Sequence, residues 1–317
     1  MTGRPKKSHF DWLKDQLRFV SNWGEQVGPL VPNVHHDYEV HTALKLAALN
    51  HAIGVFAPIA KKQAIGRWKY GRSVYVDLFA GAGATRTPTG DWLAGSPIIA
   101  ARAKRPFDRI ILAENNPTHL AALRQRLNTA LPQGIGVDFV PGDCNLNAAT
   151  IAGMLQPNDL VFVSVDPEGM EIDWTTLEKL VQRAPASDLF INFTSGVDRV
   201  AGAVLKDGTG TGAMMRFSGI PRAELLARLE AGGRGLLELY TERLDANLGK
   251  GVGGASPVAN TRGQTVYNLL LRTRLTPRGS PYSQGYVDLQ TRLAAVDARQ
   301  AKHALDQLKR GQQPLGP

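Results

Sequence analysis

The stretch from Ser73 to Arg86, SVYVDLFAGAGATR, constrains the chain more than any other. A β-branched and aromatic run stops at two glycines one residue apart, which predicts a buried strand entering a tight turn. A ligand resting on that turn would meet backbone with no Cβ in the way. Asp77 sits inside the strand, where an unpaired carboxylate is costly, so it is expected to find donors in the turn or on a bound ligand. The third glycine of the dinucleotide fingerprint is missing, because Arg86 stands three residues beyond Gly83. That absence disfavours hydride chemistry on a nicotinamide cofactor.

The pattern repeats downstream. Residues 107–113 predict a second strand ending at Glu114, the position where an open parallel sheet grips the two hydroxyls of a ribose. Residues 137–143 predict a third, ending at Asp143, which can accept a hydrogen bond from an adenine amino group; Cys144 beside it is expected to be a small lining residue. Residues 160–165 run into Asp166-Pro167-Glu168-Gly169, and 188–193 end at Phe193 before Thr194. Helices are expected at 98–104 and 118–131, with a loop over 88–97. In such a sheet ligands bind beyond the carboxyl ends of the strands, so these polar ends should converge on one site.

Charge divides the chain. The formal net charge is +9, and it comes from the flanks: residues 1–72 carry 11 Lys and Arg against 5 Asp and Glu, and residues 276–317 carry 6 against 3, while the middle is neutral. A basic excess beside a neutral core fits a polyanion partner, and equally fits a solvated surface. Lys6, Lys7, Lys14 and Arg18 alternate with Phe10, Trp12, Phe19 and Trp23, an arm or short helix that either grips phosphates and bases or packs back onto the domain. The apolar spacing of Leu44, Ala48, Val55 and Ile59 predicts a helix over 39–62, with His41 and Lys45 on one face.

The single cysteine excludes an internal disulfide and any four-cysteine metal site, and no metal is expected. The longest mostly apolar run, 47–60, is shorter than the roughly 20 residues a bilayer needs. The expectation is a soluble, cytoplasmic protein with no membrane partner. Its predicted organisation is a basic N-terminal helical extension (1–70), a doubly wound, mostly parallel α/β domain (71–275) and a C-terminal helical tail (276–317). Within the domain, glycine-rich residues 197–255 form either a cap over the crevice or a surface insertion.

The residues from His41 to Leu270 resemble class I S-adenosylmethionine-dependent methyltransferases, and more narrowly the three-Cys-motif partner family. The resemblance rests on His41-Thr-x-Leu-Lys45, Tyr75-Val-Asp-Leu-Phe-Ala-Gly-Ala-Gly83, Gly95-Ser-Pro97, Asp166-Pro-x-Gly-Met170, Ile191-Asn-Phe193 and Tyr267-x-Leu-Leu270. It implies a Rossmann-like methyltransferase sheet and S-adenosylmethionine as cofactor, held by Asp77, Phe79, Gly81, Gly83, Glu114, Asp143 and Cys144. It implies catalysis at Asp166, Pro167 and Glu168, and an acceptor contacted by His41, Lys45 and Phe193. The basic flanks favour nucleic acid as that acceptor, and the resemblance implies a three-Cys-motif protein as working partner. In amino-methyltransferases an Asp-Pro-Pro-aromatic turn holds the target amine and stacks on its base. Asp166-Pro167-Glu168-Gly169 lacks the second proline and the ring, so Phe193, Trp92 or Trp174 would have to supply one. The altered turn also fits a binding subunit that holds S-adenosylmethionine or a nucleoside without turning it over.

Overall fold

The strand ahead of the glycine turn becomes the middle of a seven-stranded sheet. In the computed structural model, residues 7–37, 39–65, 70–230, 235–248, 250–273 and 282–312 are described; Lys6, Gly232, Gly233, Gly249 and Arg274 lie outside them. The first part of the chain forms α1 (His9–Val27), β1 (His36–Asp37), α2 (Val40–Ile65), β2 (Ser73–Asp77), β3 (Ala84–Arg86), β4 (Trp92–Ala94) and α3 (Ser96–Ala101). Then β5 (Arg109–Glu114), α4 (Pro117–Ala130), β6 (Gly136–Pro141), α5 (Ala148–Gly153), β7 (Leu160–Val165), α6 (Trp174–Arg183) and β8 (Ser187–Thr194) alternate. Four helices follow, α7 (Gly196–Asp207), α8 (Thr211–Ser218), α9 (Arg222–Glu230) and α10 (Leu236–Asn247). The chain closes with β9 (Lys250–Ala259), β10 (Thr265–Thr273), α11 (Ser283–Ala294) and α12 (Ala298–Gln312).

The sheet order is β6-β5-β2-β7-β8-β10-β9. Strands β6 to β8 are parallel, and β10 joins β8 antiparallel. The chain steps outward from β2 to β5 and β6, then returns to lay β7 on the other side of β2. That reversal opens a crevice at the strand ends between β2 and β7. Every residue of β2 and β7 is buried, as expected of central parallel strands covered on both faces.

Strand alternation divides the core in two. Tyr75, Ile110, Phe162 and Phe190 face one layer, with α1, α2, α11 and α12. Val76, Ile111, Val163 and Ile191 face the other, with α6 and the helices α7–α10. Helix α2 is the centre of the first layer, burying Leu44, Leu49, Ile53 and Phe56, each contributing about 1.5–3 kcal/mol. It is longer than the apolar run alone implies: Val40–Gln63 has the length and apolarity to cross a bilayer, yet 61% of that window is buried inside the fold.

The structure decides some of these expectations and corrects others. Of the two alternatives for the N-terminal aromatics, packing back onto the domain is the one found: Trp12 donates from Nε1 to His51 Nδ1 at 3.0 Å, and Trp23 lies under the Arg102 guanidinium at 3.8 Å. The loop expected over 88–97 contains β4, which pairs with β3, and β3 pairs with β1 in a small second sheet. The described part of 197–255 does not cap the crevice: Phe217, Leu225, Leu236, Tyr240 and Leu244 are buried in the second layer, and none of its described residues lines the crevice, whose wall stops at Ser195 and Gly196 just ahead of it. Finally β9, hidden by glycines and Pro257, is the outer strand of the sheet, where a proline costs no ladder bond to a further neighbour.

Candidate functional site

The crevice at the strand ends measures about 1210 Å³. Its floor is the glycine turn. Gly81 has φ +62°, and a Cβ there would lie 2.7 Å from His36 Nε2, so both backbone conformation and space require glycine. Gly95 approaches from β4: its N–H donates to Gly83 O at 2.9 Å, and a Cβ would meet Gly83 C at 2.9 Å. The Gly-Ser-Pro triplet thus braces the turn from the side.

Glu114 does two things at once. Oε2 accepts from Gly81 N at 2.7 Å and Oε1 from Asn116 N at 2.8 Å, while the side chain lines the crevice at 11% exposure. A carboxylate accepts up to about four hydrogen bonds, so the fixed group retains capacity for two hydroxyl donors. Asp143 Oδ1 accepts from Asn145 N at 2.6 Å, and Asp143 also lines the crevice. Cys144 beside it is buried; burial, and then the Asp143 charge, push its thiol up to about 12, so it is a lining group and not a nucleophile.

Asp77 finds its donors in the strand and the turn, away from the cofactor contact that the resemblance implies. It is fully buried in β2 and does not line the crevice. Tyr75 donates its hydroxyl to Oδ2 at 2.8 Å and Phe79 N donates to Oδ1 at 3.3 Å, with burial raising the carboxyl to about 6. Strand parity explains it, since Asp77 shares the Tyr75 face. Its ligand is the turn, and Phe79, which does line the crevice, is what it positions.

At the end of β7, Asp166 is held from two elements. Lys45 Nζ from α2 reaches Oδ1 at 2.9 Å and Oδ2 at 2.7 Å, and Asn192 Nδ2 from β8 donates to Oδ1 at 2.7 Å. Pro167 and the exposed Glu168 line the same wall. His41 lies nearby, its ring edge-on to Tyr267 at 5.6 Å, and Tyr267 donates its hydroxyl to His41 O at 2.6 Å. Burial holds the His41 imidazole below its usual range, which keeps it neutral near neutral pH.

Phe193 is also misplaced by the sequence reading. It is fully buried in the second layer, 5.7 Å from Phe217 and 5.6 Å from Tyr240 between ring centres. Trp92 and Trp174 are equally buried and line nothing in the crevice. The rings that do face it are Phe79, Tyr267 and the imidazoles of His36, His41 and His119.

Three contributors were missed. His36 stands over Gly81 with its ring 4.7 Å from that of His119, and burial holds it below its usual range. Asn192 and Thr194, one residue to either side of Phe193, line the wall beside Asp166. Their signal was the strand period: residues flanking a core Phe must face the other way.

No family model matches the sequence, and no curated protein matches it. Solved structures similar to the chain include an O-methyltransferase from Bacillus cereus in complex with SAH, at 13% identity and a TM-score of 0.44, covering 86% of this chain and 94% of that one. The O-methyltransferase TomG from Streptomyces achromogenes, in complex with SAM, is 14% identical with a TM-score of 0.40 over 80% of this chain and 97% of its own. Trm1 from Pyrococcus horikoshii with S-adenosyl-L-methionine is 15% identical with a TM-score of 0.37, covering 83% of this chain and 75% of that one. Likenesses at these scores carry no weight for ligand or reaction.

Proposed function

We propose that the chain is an S-adenosylmethionine-dependent methyltransferase. The observation that carries this reading is the meeting of four strand ends in one crevice: the glycine turn after β2, Glu114 after β5, Asp143 after β6 and Asp166 after β7. The donor set fits the cofactor. Glu114 has acceptor capacity left for the ribose hydroxyls, Asp143 can take the adenine amino group, and the bare turn receives the methionine part. When bound, the cofactor supplies a methyl group already activated on a sulfonium.

The chain's own task is placement. Lys45 and Asn192 hold Asp166 rigidly, so its carboxylate is an oriented acceptor for a hydrogen on the methyl-accepting atom. Pro167 and the neutral His41 wall that position, and Glu168 flanks its mouth.

The finer assignment draws on other observations. The basic flanks support a nucleic-acid acceptor, although Arg18, Lys61, Arg292 and Lys309 in those flanks are paired with carboxylates of the same chain. The motif resemblance supports a three-Cys-motif protein as partner, and the lone cysteine a cytoplasmic setting. A second reading, a subunit that holds the cofactor without turnover, is favoured by the Lys45 clamp on Asp166 and by the altered turn.

Titration with S-adenosylmethionine, S-adenosylhomocysteine and NAD by calorimetry tests the reading. Micromolar binding of both adenosyl ligands, none of NAD, and loss in Glu114→Ala are expected; failure of both adenosyl ligands to bind would remove it.

A further inference from the structure

The crevice of this basic protein is acidic. Besides Glu114, Asp143 and Asp166, its walls carry Asp37, Glu39, Glu168 and Glu171. Against these seven carboxylates stands, among the described lining residues, Lys45, already engaged with Asp166, and no arginine. Burial disfavours the imidazolium of both His36 and His41, the latter with its Nδ1 3.2 Å from Glu39. A cleft lined by one sign of charge concentrates ligands of the opposite sign and repels a phosphate backbone.

A second observation points to the same ligand. Asn192 is 5% exposed, and its Nδ2 donates to Asp166 Oδ1 at 2.7 Å. That bond fixes the amide, because the flipped form would set its oxygen against the carboxylate. Asn192 Oδ1 is therefore a defined acceptor, and it is buried with no partner. Thr194 Oγ1, two residues along β8 and so on the same face, is buried without a partner too. Both residues line the crevice beside Asp166. Buried acceptors lacking a donor call for one on the ligand.

We infer that the acceptor is an amine carried on a cationic molecule, a deepening that rests on the methyltransferase reading. Its N–H groups meet Asn192 Oδ1 and the Asp166 carboxylate, with Thr194 Oγ1 alongside, and its remaining positive charge faces Asp37, Glu39, Glu168 and Glu171. The ammonium first gives its proton to water. The nitrogen lone pair then forms the N–C bond as the C–S bond breaks, its electron pair staying on sulfur to give a thioether, and the methylated nitrogen gives its proton to water. A free polyamine and a protein lysine share this chemistry.

The full chain is tested with spermidine, a lysine-rich peptide and a single-stranded RNA oligomer, each for binding in the presence of S-adenosylhomocysteine and for methyl gain by mass spectrometry with S-adenosylmethionine. Methylation of spermidine or of the peptide, with the RNA inert, is the expected result, and which of the two reacts identifies the source. The Glu39→Gln/Glu171→Gln variant should raise the amine KM about tenfold at little change in kcat. Asn192→Leu should lower kcat about tenfold or more with the S-adenosylhomocysteine affinity unchanged. Thr194→Val gives a milder version of the same split should the leucine variant fail to fold. Methylated RNA with inert amines, or amines that neither bind nor react while the cofactor product binds, would overturn the inference. If the cofactor product itself does not bind, the methyltransferase reading fails instead, and calorimetry with spermidine alone decides whether the amine site stands.

Discussion

Arg126 of α4 donates from Nη1 to Ala82 O, between the two glycines of the turn, at 2.6 Å. The same guanidinium, fully buried, donates to the carbonyls of Val27, Gly28, Val31 and Val34 at 2.8–3.2 Å. Among the described residues no carboxylate meets it, and burial pushes its pKa down to about 10. One side chain thus ties the crevice floor to the segment that delivers His36.

Arg126→Met should leave those carbonyls without a buried donor and lower stability by about 3 kcal/mol. Urea denaturation checks it. Arg126→Lys keeps the charge but loses the planar fork, and should fall between the two.

Gly81→Ala combines a left-handed backbone with a Cβ 2.7 Å from His36 Nε2. The backbone part costs about 1–2 kcal/mol and the clash adds to it. His36→Ala in the same chain should recover the clash portion only. A double-mutant cycle on thermal stability that shows no coupling would contradict the contact.

Asp188 in β8 is buried, accepting from Tyr286 at 2.7 Å and Thr273 at 2.8 Å, and burial raises it from 3.8 to about 7. A raised acid binds its proton more tightly folded than unfolded. Its stabilising contribution is therefore full below about pH 4 and is lost as pH rises toward 7. A shift from 3.8 to about 7 corresponds to a span on the order of 4 kcal/mol. Asp188→Asn should flatten the stability profile across that window, measured by denaturant melts at pH 4.5 and 8.

Asp166→Ala should lower turnover about 100-fold while leaving S-adenosylmethionine affinity within about twofold, because it removes acceptor placement and not cofactor contacts. Lys45→Met should cost less, since Asn192 still holds Oδ1. Single-turnover assays with separate binding titrations distinguish the two effects.

The central strands were legible because burial on both faces demands nearly continuous apolar runs, and 160–165 is such a run, broken only by Ser164. The polar strand ends were legible for the same reason, as breaks in those runs. Strand parity is not legible from the motifs alone: the strand period puts Asn192 and Thr194 at the crevice and turns Phe193 and Asp77 into the packing, against the crevice roles that the resemblance implies for them. His36 could not be read locally at all, because its role depends on β1 pairing with β3 across some 50 residues of chain. Strand β9 was obscured by its glycines and Pro257, tolerated only because the strand is outermost.

The parallel pairing of His36 with Thr85 has one more consequence. The roof strand is paired to β3, the strand into which the floor's glycine turn leads directly, so roof and floor are tied together. A ligand needing more headroom above Gly81 cannot obtain it by lifting the strand. It must swing the His36 imidazole against its neighbour His119, which makes those two rings the sash of the window and the sheet its fixed frame.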